Sequence, residues 1–319
     1  MRSIRLYPLL LIVLVAPLLT AQAGPRQQIV EALALEREGH PEQAIVALQA
    51  LLDSKSLSGP EAGEAENILG LSYKDQGDFA LSERAFEQSI RLLERSYDRS
   101  RDYAMALDNF GGLLLAMGQP EAAGRMREKA LHVYEKTNDH TGVAIACNNL
   151  AGVAFEEKSL RRGKKYLQRA RREAELASGL DDDDRAAIFS MQGWLALLEG
   201  DALGAASAYQ QSLDLWRQRH GEEHPSTGWG YVLVGNAKAE AGELPSALAD
   251  MQKGLAVLDR TAGRQSARYL TAEMAYSRLL DQTGSRAEAV RMKADAERGL
   301  QDLHRSQCTG CTLSAAAFR

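Results

Sequence analysis

The stretch from Asn67 to Ile90, NILGLSYKDQGDFALSERAFEQSI, decides the fold of this chain. An apolar segment with helical spacing runs up to Gly77, and a second segment of the same kind follows it. Glycine is the usual stop after a helix, because the left-handed backbone that ends many helices suits a residue without a side chain. The stretch therefore predicts two short helices joined by a tight turn.

The same arrangement recurs along the chain at a nearly fixed interval. The turn positions lie forty to forty-two residues apart and are Gly77, Gly118, Lys158, Gly200, Gly242 and Gly284. A small residue stands five positions after each turn: Ser82, Ala123, Gly163, Ala205, Ala247 and Ala289. A similar unit around Gly39 precedes them. A period between 20 and 50 residues indicates a repeat array, so we expect an all-α solenoid of seven helix pairs over residues 24–304.

The residues around the turn carry a resemblance to a known repeat. Leu69-Gly70-x-x-Tyr73 precedes Gly77, and Ser82-x-x-x-Phe86 follows it, which resembles the tetratricopeptide repeat. In this interpretation Gly70 and Ser82 are the small residues that let the two helices approach to about 8–10 Å. Tyr73 and Phe86 fill the space on either side.

Two further motifs are similar to the longer kinesin-light-chain variety of the repeat. One is the opening Asn148-Asn149-Leu150-Ala151, and the other is the loop Gly221-x-x-His224-Pro225. The interval also exceeds the 34 residues of the standard repeat. Such repeats bind protein segments, so the resemblance implies an interaction scaffold.

The resemblance also implies which residues meet a partner. In this family the first helix of each unit lines a concave groove, and four positions of that helix face it. The residues at these positions are Asn67, Lys74, Asp108, Asn148, Phe155, Trp194, Trp229, Asn236 and Arg278. Asparagine amides both donate and accept hydrogen bonds, which suits a peptide backbone. The alternative is that some of these side chains only pack between repeats.

Composition excludes several partner classes. The chain has 45% hydrophobic and 25% charged residues and a formal net charge of −5. Nothing in this balance favours nucleic acid or an anionic membrane surface as the partner. A basic run from Arg161 to Arg172 lies on one second helix, where a solvated outer face is the simpler interpretation than an acidic-partner patch. Among the acidic residues 181–184, we expect Asp184 to cap the following helix.

Residues 1–23 have the pattern of a secretory signal peptide. Arg2 and Arg5 precede an apolar core from Leu9 to Leu19, and residues 21–23 (Ala-Gln-Ala) match a cleavage site. The alternative, a membrane anchor, needs about 20 apolar residues. We therefore expect export to a bacterial-type periplasm or exterior, a mature chain beginning near Gly24, and no membrane span after cleavage.

Three cysteines allow more than one interpretation. Cys147 lies within a helix, where a small buried thiol is expected. Cys308 and Cys311 form a C-x-x-C in the segment 305–319; Thr312 follows, so the haem-attachment motif fails. A zinc site lacks a fourth ligand nearby. A local disulfide is our expectation, since export favours it, and a free pair is the alternative.

No catalytic constellation is evident in the sequence. The chain contains no G-x-S-x-G, no H-E-x-x-H and no phosphate-binding glycine loop. We therefore expect a non-enzymatic scaffold without cofactor or metal that binds a protein or peptide in its groove. A redox- or metal-responsive protein using Cys308 and Cys311 is the second hypothesis, and a self-associating array, hence a homo-oligomer, is the third.

Overall fold

The chain is all-helical over the residues that the structure, a computed structural model, describes, namely 24–97 and 101–307. These residues form fourteen helices and no strand. The helices are α1 Pro25–Arg37, α2 Pro41–Asp53, α3 Gly59–Gln76, α4 Phe79–Tyr97, α5 Arg101–Ala116, α6 Pro120–Lys136, α7 His140–Glu156, α8 Leu160–Leu176, α9 Asp182–Leu198, α10 Ala202–His220, α11 Pro225–Glu240, α12 Leu244–Thr261, α13 Ala267–Gln282 and α14 Arg286–Gln307.

The expected solenoid of seven helix pairs is confirmed. Each odd-numbered helix packs on the even-numbered helix that follows it, and each pair packs on its sequence neighbours. The core is accordingly a series of local clusters, each shared by neighbouring helices, such as the one around Leu107, Tyr134 and Leu150. Stability in such an array is the sum of the units and of the interfaces between neighbours.

The turn after each first helix has the left-handed backbone that the sequence predicts. Gly77 has φ 82° and Gly242 has φ 82°, and Lys158 adopts the same conformation at φ 57°. The amide of Asp78 donates to the carbonyl of Tyr73 at 2.9 Å, the six-to-one bond of a Schellman turn. A lysine therefore occupies a backbone region that costs an L-residue roughly 1–2 kcal/mol.

Small residues allow the two helices of a unit to cross closely. An added Cβ at Gly70 would lie 2.8 Å from the ring of Phe86, a side chain that is completely buried. The Ser82 hydroxyl donates to the carbonyl of Gly70 at 2.7 Å. The roles expected for this pair of small residues are therefore confirmed, with a hydrogen bond across the crossing in addition.

One junction between repeats differs from the others. In every other unit the first helix packs directly against the first helix of the next unit, whereas the backbones of α9 and α11 scarcely approach each other. Only α10 makes extensive contact with both. We call this gap between α9 and α11 the seam.

The start of α9 corrects one expectation. Asp181, not Asp184, caps the helix: its carboxylate accepts from the amide of Asp184 at 3.0 Å. Asp184 lies within the first turn, where its amide is the group that needs the cap.

The expected signal peptide, residues 1–23, and the cysteines Cys308 and Cys311 lie outside the described residues.

Candidate binding groove

A cavity of about 320 Å³ opens on the face built by the first helices, at the seam. Four consecutive first helices, α7, α9, α11 and α13, contribute to its wall, and Tyr209 of α10 closes its floor. The lining residues are Glu156, Ser190, Met191, Trp194, Leu197, Tyr209, Trp229, Val232, Leu233, Asn236, Thr271, Ala275 and Arg278. The cavity exists because α9 and α11 leave between them space that direct packing fills elsewhere.

Four of the nine residues expected to face a groove line this cavity. Trp194, Asn236 and Arg278 each stand six residues before the turn glycine of their unit, so they occupy equivalent places on three consecutive helices. Trp229 lies about two helical turns earlier on α11. The structure brings these four side chains together although the sequence separates the first from the last by two full repeats.

The side of the cavity formed by Met191 and Trp194 packs against Gly152. An added Cβ at Gly152 would lie 3.2 Å from the Met191 methyl group and 3.9 Å from the Trp194 ring. Trp194 also meets Phe155 edge-on, with ring centroids 5.4 Å apart and an interplanar angle of 72°. This geometry is favourable for aromatic pairs. Trp194 therefore has a fixed position, and it and Trp229 are only partly buried.

Four expected groove residues are instead packed in the interior, which corrects their assignment. Asn67, Asp108, Asn148 and Phe155 are between 4% and 6% exposed. The first three stand ten residues before their turn residue, and this position lies between neighbouring first helices. Where those helices pack directly, the position is closed to a ligand. At the seam it reaches the cavity, as Ser190 does.

The ninth residue, Lys74, is half-buried on α3 and does not line the cavity. Its ammonium lies 3.6 Å from a carboxylate oxygen of Asp75. The structure thus does not join Lys74 to the other four residues.

Asn109 and Asn149, which stand nine residues before their turns and were not expected in the groove, form a polar ladder with Asn67 and Asp108 on α3, α5 and α7. The Asn109 amide donates to the side-chain oxygen of Asn67 at 3.2 Å, and the Asn149 amide donates to Asp108 at 2.6 Å. Asn109 and Asn149 are partly exposed, while their acceptors are buried. A change of one residue rotates a side chain by about 100° around a helix, which explains why the expected position was inside.

Arg127 is a second residue that sequence reasoning missed. It stands four residues after the small residue of its second helix, a place that holds Phe86 or Leu167 in other units. Its Nε lies 3.8 Å from Asp108 Oδ1, and both side chains are less than 10% exposed. Burial raises the pKa of Asp108, while the guanidinium of Arg127 opposes that rise. The sequence did contain a signal for this residue, because Arg127 is charged at a position where the helical spacing requires an apolar side chain.

The ladder ends at the cavity. Asn148 Oδ1 is buried without a hydrogen-bond partner. The next unit has Met191 at the position of Asn109 and Asn149, and a thioether cannot donate a hydrogen bond. The groove therefore has a polar part on α3, α5 and α7 and an aromatic part from α9 to α13.

Charge in the cavity comes from two side chains, Glu156 at one side and Arg278 at the other. Arg278 is exposed and has no ion pair with any described residue. The basic helix α8, by contrast, is partly neutralised on the outer face. Lys164 pairs with Glu199 at 2.7 Å and Arg169 with Glu135 at 2.6 Å.

The described residues offer little for other chemistry. None of their His, Cys, Asp and Glu side chains forms a group of three that can hold a metal ion. The Cys147 thiol is fully buried, and burial raises its pKa to about 12, so it is unreactive. Within residues 24–97 and 101–307, no helix has the length and apolar character required to cross a membrane.

Comparison with known proteins supports the repeat assignment. A family model for the tetratricopeptide repeat matches residues 61–136. No curated protein matches the chain in sequence. Solved structures with the same fold include a Rap conjugation gene regulator of plasmid pLS20 in complex with the Phr* peptide (15% identity, TM-score 0.68, 88% of this chain and 74% of that one).

Two further structures show similar architecture. One is a Rap protein complexed with Competence and Sporulation Factor, at 12% identity and a TM-score of 0.60, with 89% of this chain and 99% of that one covered. The other is the APC/C hetero-tetramer Cut9-Hcn1, at 14% identity and a TM-score of 0.63, where the match covers 88% of this chain and 49% of the other. Residues 61–136 thus match the tetratricopeptide-repeat family, and the seven helix pairs repeat the same arrangement from residue 25 to residue 307.

Proposed function

We propose that this protein is a non-enzymatic scaffold that binds an extended segment of a protein or peptide along the groove, anchored in the cavity at the seam. The observation that carries this proposal is the convergence of Trp194, Trp229, Asn236 and Arg278 on one cavity from three consecutive first helices. Aromatic and arginine side chains around a pocket are the usual energetic centre of a protein interface.

The shape of the site supports an extended ligand. Where consecutive first helices pack directly, as α11 and α13 do, their equivalent residues succeed one another at the spacing of packed helices, about 8–10 Å. An extended chain crosses one such interval with about three residues, since it rises roughly 3.3 Å per residue. Asn109 and Asn149 on the polar ladder then lie on the continuation of the same path toward α5 and α7. One structural neighbour is named in complex with a peptide, which agrees with this occupant.

The place of action is also a proposal. The signal-peptide pattern of residues 1–23 supports export, so the partner would be a periplasmic or extracellular protein. Cell fractionation followed by determination of the mature amino terminus tests this point. A cytoplasmic protein that retains residues 1–23 would contradict it.

A display experiment tests the groove itself. A library of random twelve-residue peptides is selected on the purified protein, and selected peptides are measured against variants. We expect Trp194→Ala or Trp229→Ala to weaken binding by ~2 kcal/mol or more while helical content stays unchanged. The matched control is charge reversal of Arg161 and Arg162 on α8, which should matter little. Loss of binding in the control but not in the tryptophan variants would place the interface on the outer face.

A further inference from the structure

The groove also indicates what kind of segment it accepts. We propose that the ligand carries a bulky apolar side chain, which enters the cavity beside Trp194 and Trp229, and an acidic side chain about three residues away that pairs with Arg278. This inference rests on the proposed function and specifies the substrate class of the same site. The acidic residue is an Asp or Glu inside a continuous segment, not a chain terminus.

The state of Arg278 is the first argument. It stands near the C-terminal end of α13, is exposed, and lines the cavity, yet no described carboxylate lies within ion-pair distance of it. Asp281, one turn further on the same helix, forms no ion pair with it either. Arg260 on α12, by contrast, makes a bidentate pair with Glu223 at 2.7 and 2.8 Å. An unpaired guanidinium at the edge of an apolar cavity fits a carboxylate from outside.

The neighbour of Arg278 supports the same ligand group. Asn236 occupies the equivalent position on α11, the helix that packs directly against α13, and it lines the same cavity. Its amide N–H₂ is a second donor for a carboxylate that the guanidinium holds. The two side chains together therefore favour a carboxylate at this end of the cavity.

The apolar part follows from the size and walls of the cavity. At about 320 Å³ it is at the small end of ligand pockets. Such a volume holds one large side chain with its adjoining backbone. Met191, Leu197 and Leu233 complete the wall between the tryptophans, so an aromatic or long aliphatic side chain fits best.

A side chain is the better source of the carboxylate than a chain end. Proteins capture a terminal carboxylate with several backbone N–H groups that converge in a nest. Arg278 and Asn236 instead project from helix interiors, where the backbone donors are already used within the helix. The groove also offers no closed end at Arg278, because the side chain is exposed. A segment can thus continue past it.

Selection with altered charge tests the proposal. The same random-peptide library is selected in parallel on the wild type, Arg278→Gln, Arg278→Glu and the control Arg286→Gln, with the peptide termini blocked. We expect wild-type and control pools to combine a bulky apolar residue with Asp or Glu about three positions away. The Arg278→Gln pool should keep the apolar residue and lose the acid, and the Arg278→Glu pool should replace the acid with Lys or Arg.

Affinity measurements complete the test. Replacing the acid of a selected peptide with its amide should weaken binding to the wild type roughly tenfold, a change of 1.4 kcal/mol, and should not affect binding to Arg278→Gln. Identical pools for all four proteins, with binding still dependent on Trp194, would overturn the acidic specificity and leave the proposed function intact. A selected peptide that binds more tightly once its carboxyl terminus is unblocked, and then no longer needs its acidic side chain, would overturn the side-chain assignment. Absence of any Trp194-dependent peptide would overturn both proposals.

Discussion

The buried pair of Arg127 and Asp108 gives the sharpest prediction about stability. Arg127 stands where a neighbouring unit has Leu167, and Asp108 stands where that unit has Asn148. The third unit therefore shows which uncharged residues fit these two positions. We compare Arg127→Leu with the double variant Arg127→Leu/Asp108→Asn.

The single variant should be strongly destabilised. It leaves the Asp108 carboxylate buried, 6% exposed, with only the amide of Asn149 at 2.6 Å as partner. It also removes the bond from the Arg127 guanidinium to the carbonyl of Asn149 at 2.9 Å. Removing one partner of a buried ion pair costs about 3–5 kcal/mol. In the double variant no charge is buried, and an amide at position 108 still accepts from Asn149, so the free energy of unfolding should return to within about 1 kcal/mol of the wild type.

Urea unfolding, followed by far-UV circular dichroism, measures both variants. Repeat arrays often unfold in more than two states, so hydrogen exchange of α5, α6 and α7 should accompany it to locate the change. A cost below about 1 kcal/mol for the single variant would refute the claim that the pair is tightly coupled. A double variant no more stable than the single one would show that Arg127 acts through packing alone.

Three further predictions concern separate parts of the chain. Lys158→Gly should leave the melting temperature unchanged or raise it, because glycine relieves the left-handed backbone at φ 57°; a fall of several degrees in a thermal scan would contradict the strain. Burial, and secondarily the charge of Asp75, raises the pKa of Glu36 to about 7, so its ionised form destabilises the fold as pH rises from 4.5 to 7. Glu36→Gln should therefore raise the melting temperature at pH 8 and have little effect near pH 4, and an equal effect at both would be inconsistent with this titration. Cys308 and Cys311, expected to form a disulfide in exported protein, should resist alkylation until reduced when followed by mass spectrometry, and their replacement should leave the melting curve nearly unchanged because the loop is short.

The fold was predictable from the sequence because it depends on local signals. Glycines such as Gly77 and Gly242 mark the turns, and small residues such as Ser82 mark the helix crossings; both kinds of signal are visible in every unit or nearly so. Lys158 could also be assigned to a turn, because the period puts it at the position that has a left-handed glycine in the other units.

The groove was predictable only in part, because it depends on how helices are rotated and spaced. The expected position on α5 and α7 was one residue away from the exposed face, so Asp108 and Asn148 lie inside, and Asn109 and Asn149 were not among the expected groove residues. The seam, moreover, is a departure from the repeat rule. A periodic pattern predicts what units share, and therefore gives no signal for the one junction that differs.

The seam has a consequence for how the array responds to its ligand. Elsewhere two contacts join adjacent units, first helix to first helix and second helix to first helix, whereas α10 alone joins the fifth unit to the sixth. This junction therefore depends on the packing of α10 against α11, which is extensive, and lacks the contact between first helices that the other junctions have. A segment wedged between Trp194 and Trp229 supplies the missing contact across it. The bound peptide then acts as a structural part of the solenoid, because it adds to the coupling between the fifth and sixth units and makes their unfolding more cooperative when the cavity is filled.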